Sequence, residues 1–362
     1  MTRSKTYPTL ASCSAAGSGL ARESDVPKAF WGPNYEAEFD HDTLWYDAIG
    51  MADRVRLVCP KLLNLEAIFK TGQVFVDGWP VRPRIRRYRR HDLVDLPWKG
   101  PKPEIEVRYG DWVGQSMVNP AVPDRLAGLN VHVAISKNND LQWLADFARF
   151  HIQHHDLQAM VLMDNGSDRY GLDEIGAVLR QTGLQDVIVL DVPFPYGPRG
   201  VKKMKRKNKY LQTAMLNALR FRFLGQARAV LQCDIDELVW AGGKSVFDAA
   251  VAHPLGYVQF PGEWRYPKDG TRHGAHRYRL EGRDGCPTKY CIVPGGPMRR
   301  FSWDIHRLER LAFGQFLTSK RAEYWHCAGI STNWKGWNRL NNQDKANLDP
   351  VADQALKAVD WT

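Results

Sequence analysis

From Asn130 to Cys233 the chain alternates short apolar runs with longer amphipathic ones, and that rhythm confines it to a narrow set of folds. "VHVAIS" is a β-branched strand, and "DLQWLADFARFHIQHH" follows with Leu141, Leu144, Ala145, Ala148 and Ile152 at helical spacing. "AMVLMD" reads as a second strand, "GLDEIGAVLRQTG" as a helix closed by a capping glycine, and "DVIVLDV" as a third strand. The spacing predicts a further helix from about Lys203 to Leu224, then a strand at "ARAVLQC". Such alternation means an α/β fold, a mostly parallel, Rossmann-like sheet with helices on both faces. Ligands of open parallel sheets bind at the carboxyl ends of the strands. Ser136 to Asp140, Asp164 to Asp168 and Asp234 to Glu237 all fall at those ends, so three polar segments are expected to converge on one crevice.

The 362 residues exceed the usual size of one domain. Residues 1–30, rich in small residues, read as a disordered leader without the apolar run of a signal peptide. Residues 31–128 hold "RVRLVCP", "QVFVDGW" and "EIEVRYG", broken by Pro and Gly, which predicts a small strand-rich module. Residues 129–345 form the α/β domain and 346–362 a C-terminal tail. No stretch approaches the roughly 20 apolar residues of a membrane helix. Six cysteines without a CxxC pair argue for free thiols in a reducing cytosol, hence a cytoplasmic protein.

The formal charge of +10 is concentrated in two places. "RPRIRRYRR" sets Arg82, Arg84 and Arg86 at alternating positions, one face of a strand. "RGVKKMKRKNKY" packs seven basic residues into eleven positions. Phosphorylated or acidic sugars, an anionic membrane surface or nucleic acid could each meet such patches. An anionic membrane would contribute ~1 kcal/mol per charge, which suits a protein working peripherally on lipid-linked acceptors.

Among chemistry-bearing residues, "DIDE" stands out. If the strand continues through it, Asp234 and Asp236 share one side while Ile235 turns into the core. Paired carboxylates repel unless a cation or good hydration relieves them, and Mg²⁺ or Mn²⁺ at nucleotide sites uses one or two carboxylates with substrate phosphates. A solvated strand end is the competing account. In "LMDNGSDRYG", Asp164 and Asn165 offer an acceptor and a donor suited to a nucleobase edge, or simply make a turn. Glu263 beside Trp264 in "VQFPGEWRYP" is a candidate base, since an indole neighbour favours a neutral carboxyl.

The run "ISKNNDLQWLADFARFHIQHHDLQAMVLMDNGSDRY" resembles the opening of glycosyltransferase family 2-like and family 92-like proteins, through Asn139, Trp143, Phe150, His151, Asp164, Asn165, Ser167 and Asp168. Asp140 stands where those families more often carry Glu, and Asp146 does not replace their helix acid. "DIDELVW", "PTKYCIVPGGPMRRFSWDIH" and "YWHCAGISTNWKGWNR" extend the likeness in order, over roughly Asn130 to Arg339. The resemblance implies a GT-A fold, a nucleotide-sugar donor, a glycan or lipid-linked saccharide acceptor, and a Mn²⁺ or Mg²⁺ ion. It assigns the metal to Asp236, Asp234 and His326, with His306 the competitor for the late histidine. It places Asp164 and Asn139 at the donor base and Asp234 at the donor ribose or the metal. From the residues themselves, Asn165 and Lys209 are further donor contacts, and Glu263 or Glu237 is the base, with Asp304 also open. The implied reaction is inverting hexosyl transfer in surface polysaccharide or glycan assembly. A nucleotidyltransferase shares the paired acids but usually shows a Gly-rich phosphate loop, which this sequence lacks. A nucleic-acid-binding protein is a third reading, with no recognised motif behind it.

Overall fold

In the computed structural model, residues 7–100, 103–198, 208–282, 285–311, 314–331, 340 and 343–362 are described. The eight-stranded sheet at its centre uses β1 (Asn130–Ser136), β2 (Ala159–Asp164), β3 (Asp186–Asp191), β4 (Ala229–Gln232), β5 (Glu237–Trp240), β6 (Tyr257–Arg265), β7 (Cys286–Ile292) and β8 (Glu323–Cys327). Their spatial order is β3-β2-β1-β4-β7-β6-β8-β5. The first four run parallel, β7 lies antiparallel to both β4 and β6, and β6 pairs parallel with β8.

Helices α1 (Leu141–His155), α2 (Leu172–Arg180), α3 (Leu211–Arg222), α4 (Val246–Ala252) and α5 (Pro350–Lys357) complete the α/β unit. Every residue of β1 and β2 is buried, which is why those strands read as continuous apolar runs rather than as alternation. One sheet face packs Met160, Leu162 and Leu231 against Leu144 and Phe147 of α1, Ile175 of α2, Phe247 of α4 and Leu356 of α5. The opposite face packs Val131, Val161 and Leu190 against Leu211, Met215 and Leu219 of α3. Asp140 caps α1 by accepting from Gln142 N at 2.9 Å, and Asp156 ends it in the left-handed region at φ 55°.

Ahead of this lies the strand-rich module, with a four-stranded sheet (Trp112–Met117, Glu104–Tyr109, Gln73–Val76, Trp79–Pro80) and a five-stranded one (Asn119–Pro120, Asp47–Gly50, Arg54–Cys59, Asp92–Pro97, Arg84–Arg87). The basic run becomes the edge strand Arg84–Arg87, and part of its charge is spent locally. Arg86 reaches Asp95 at 3.3 Å, Arg87 Nε donates to Glu66 at 2.7 Å, and Arg90 meets Asp304 at 3.3 Å.

Two expectations change. Residues 7–30 are ordered rather than a disordered leader. Cys13–Ser14 pairs with Thr43–Trp45, and Arg22, 1% exposed, donates to Lys61 O, Asp40 and Thr43 O. Backbone pairing and one buried guanidinium fix this stretch, and neither leaves an apolar period to read. The C-terminal stretch is likewise no tail: Asp349 caps α5 through Val351 N at 3.0 Å, and Ala352, Ala355 and Leu356 enter the core. The helix predicted from Lys203 begins at Leu211, while its basic start at 203–207 lies outside the described residues. None of the six cysteines is in a disulfide; five of them are buried and Cys286 is partly exposed. Among the described residues no helix is long and apolar enough to cross a membrane.

Candidate functional site

The acidic triplet is a turn, not a strand end. β4 stops at Gln232, β5 starts at Glu237, and Glu237 N donates to Asp234 O at 3.0 Å. Ile235 is buried as expected, but the two aspartates diverge because a turn, unlike a strand, does not repeat its direction every second residue. Asp234 turns toward α3 and β7. Asp236 turns toward β8.

On the Asp234 side, Gln212 Nε2 donates to Oδ1 at 3.1 Å and Lys289 Nζ to Oδ2 at 2.8 Å. Lys289 also reaches Glu237 Oε2 at 3.0 Å, which accepts from Asp234 N at 2.7 Å. Burial drives the Asp234 carboxyl up, yet the Lys289 ammonium outweighs it and holds the group below its usual range. Glu237 goes the other way. Burial, reinforced by the charges of Asp234 and Asp236, lifts it to about 8 despite Lys289. For Lys289, burial opposes the ammonium, but Asp234 and Glu237 raise it overall. His306 is depressed to about 4 by burial and by the Lys289 charge, while its carbonyl accepts from Thr288 Oγ1 at 2.8 Å.

On the Asp236 side, His326 Nε2 lies 3.1 Å from Asp236 Oδ2, and Glu237 stands directly across from His326 in the β5/β8 pairing. One ligand atom from each of Asp236, Glu237 and His326 falls within 4.8 Å of the others. Trp264 stacks on His326 with ring centroids 4.0 Å apart and planes inclined by 14°. Two carboxylate oxygens and an imidazole nitrogen, the acids buried and His326 partly so, are a donor set that fits a divalent cation. Asp234, expected among the ligands, is instead engaged by Gln212 and Lys289.

The neighbouring strand ends line up as parallel pairing requires: Ser136 opposite Asp164, and Asp164 opposite Asp191. Asp164 accepts from Ser167 N at 2.9 Å and Ser167 Oγ at 2.5 Å. Asn139 Nδ2 donates to Ser136 Oγ at 2.9 Å, and Tyr170 Oη donates to the Asn139 carbonyl at 2.6 Å. Asn165 commits its amide protons to Val192 O at 2.7 Å and Phe194 O at 2.8 Å, so its donor holds a loop and is not presented to a base. Lys209 sits 5.3 Å above the Tyr196 ring, whose hydroxyl donates to Gln212 Oε1 at 2.8 Å, one link from Asp234.

Glu263 does not join the cluster. On β6 it pairs with Trp325 while Trp264 pairs with His326, so alternation sends Glu263 to the opposite face, where it is half-exposed and lies 3.1 Å from Arg265. Asp304 accepts from Thr213 Oγ1 at 3.0 Å, Ile305 N at 2.8 Å and Arg90 at 3.3 Å, which makes it a brace between module and sheet. Lys289, Gln212 and Tyr196 escaped sequence reasoning. Lys289 lies inside the "PTKYCIVPGG" segment, and a lysine in the middle of an otherwise apolar strand was the available signal.

Four parallel strands in the order β3-β2-β1-β4, an antiparallel extension and an acidic turn after β4 define a Rossmann-like α/β domain of GT-A type. No protein-family model and no curated protein matches the chain. Among solved structures it is similar to the galactosyltransferase LgtC in complex with donor and acceptor sugar analogs, at TM-score 0.32 and 13% identity over 64% of this chain and 96% of that one. It is also similar to an active-site mutant of LgtC, at TM-score 0.31 and 13% identity, again over 64% and 96% of the two chains.

Proposed function

We propose that the protein is a glycosyltransferase that moves a sugar from a nucleotide donor to a carbohydrate acceptor with inversion, using a divalent ion held by Asp236, Glu237 and His326. One observation supports this most directly: Asp236 of the turn after β4, Glu237 of β5 and His326 of β8 converge beside the carboxyl ends of the parallel strands, where α/β sheets take ligands. When bound there, Mn²⁺ or Mg²⁺ supplies Lewis acidity to a departing diphosphate. The chain's own groups do the rest. Lys209 places a cation beside Tyr196 at the same crevice, where it favours an anionic donor. The Asn139, Asp164 and Ser167 turn shapes the floor on which a nucleoside would lie. Of the two carboxylates expected to serve as base, Glu237 alone faces this side, where it serves as a ligand of the ion rather than as the base. Surface glycans or lipid-linked saccharides are the acceptor class we favour, reached from the cytoplasmic side with the basic stretch toward an anionic membrane.

Thermal shift with UDP-, GDP-, CMP- and dTDP-sugars, with and without Mn²⁺, tests the reading, because a bound donor raises apparent stability by mass action. One donor class should raise Tm only when Mn²⁺ is present. Asp236→Ala should abolish that response and sugar transfer while the circular dichroism spectrum stays unchanged. No metal-dependent shift from any donor would sink the proposal.

A further inference from the structure

Lys289 rises from the middle of β7 with its side chain wholly out of solvent, its Nζ 2.8 Å from Asp234 Oδ2 and 3.0 Å from Glu237 Oε2. Gln212 takes the other Asp234 oxygen at 3.1 Å, so both oxygens of the first aspartate are engaged by protein donors. Asp236 instead faces His326 across β5 and β8. A buried ammonium is costly to desolvate and persists only where paired carboxylates and further hydrogen bonds compensate it. Two adjacent carboxylates would otherwise draw a divalent ion between them.

We infer that Lys289 is a built-in cation that claims the first carboxylate of the Asp-x-Asp pair, so that Asp234 does not ligate the divalent ion and the ion is confined to Asp236, Glu237 and His326. Lys289 is a positioning residue: it has no exposed surface with which to touch a substrate, and it holds the turn so that Asp236 points at His326. The paired acids that look alike in the sequence therefore do different work, one held by Lys289 and Gln212 and one facing His326. The inference rests on the metal reading of the preceding section.

Mn²⁺ binding to the full chain, followed by the electron paramagnetic resonance signal of the free ion, tests it without recourse to activity. Asp236→Asn should weaken Mn²⁺ by about tenfold or more, the effect expected on losing a ligand, while Asp234→Asn changes affinity by less than about threefold. Lys289→Met releases Asp234 to join the ligands, so adding Asp234→Asn in that background should weaken Mn²⁺ by about tenfold. Equal losses in Asp234→Asn and Asp236→Asn, or no added loss from Asp234→Asn in a folded Lys289→Met background, would overturn the assignment. Should Lys289→Met fail to fold, the contrast between the two aspartate variants decides the matter. A wild-type chain that takes up no Mn²⁺ removes the metal reading instead. The pairing of Lys289 with Asp234 is then read from Tm, using Lys289→Gln, Asp234→Asn and the double variant: a double variant no less stable than the weaker single supports it, and additive losses overturn it.

Discussion

Arg265 carries a buried charge that three carboxylates answer. Its guanidinium, 1% exposed on β6, lies 2.8 Å from Asp349, 3.1 Å from Glu263 and 3.4 Å from Glu323. Asp349 is itself buried, so Arg265→Met strands a carboxylate out of water and should destabilise by about 3–5 kcal/mol, measured from urea unfolding. Glu263→Gln removes only a half-exposed partner and should cost less than about 1 kcal/mol in the same assay. A comparable loss from both would refute this account of the cluster. Gly262, next to Glu263, shows how closely the site face is built: a Cβ there would lie 2.1 Å from Tyr324 Cζ, and the strand admits the tyrosine ring only because that atom is missing.

At the scale of elements, α1 is joined to β5 by its histidines. His151 Nε2 accepts from Val239 N at 3.2 Å, His155 Nε2 lies 2.8 Å from Val239 O, and Val246 N donates to His155 Nδ1 at 3.1 Å. Burial depresses His155 to about 4, as it does His132 and His276. The unfolded chain therefore binds more protons than the folded one between about pH 6.5 and 4, and stability falls as pH drops through that window, by on the order of 2 kcal/mol per histidine at pH 5. Glu237 opposes this, since a folded value of about 8 means that its own contribution grows as pH falls, but several depressed histidines, His306 among them, act against it. The urea midpoint should drop steeply from pH 6.5 to 5, and His155→Gln should flatten that slope. A flat profile in the wild type would contradict it. α1 itself was legible to within a residue, because Leu141, Leu144 and Ala148 keep the helical period. The acidic turn was legible only as a set of residue types. Its geometry depends on a backbone hydrogen bond from Glu237 to Asp234 that no side-chain pattern announces.

Across the whole molecule, the strand-rich module and the α/β sheet share a core. Tyr46, Ile49, Val58 and Leu93 of the module pack in one cluster with Leu216 and Leu219 of α3 and with Val131 and Leu190 of the sheet. Unfolding should then be a single transition, with tryptophan fluorescence and far-ultraviolet circular dichroism giving the same urea midpoint. Two separated midpoints would show that the module folds by itself. The sequence led to a reading of two units because the Pro- and Asn-rich loop before Asn130 interrupts periodicity. Periodicity does not report which faces later meet across it. The same limit hid the ordered leader, whose anchor is Arg22, and Lys289, whose partners lie 55 and 52 positions away in the chain. What the pattern did reveal was the parallel sheet and the ends of its strands, since burial on both faces writes itself into composition.

The six thiols carry a practical consequence. Burial pushes those of Cys13, Cys59, Cys233, Cys291 and Cys327 upward, which leaves them protonated and sheltered from alkylating reagents. Cys286 alone is partly exposed, on the same strand as Lys289 and three residues before it. The native protein thus offers one address for a fluorophore or spin label without any cysteine replacement, on the strand that carries Lys289 to the acidic turn.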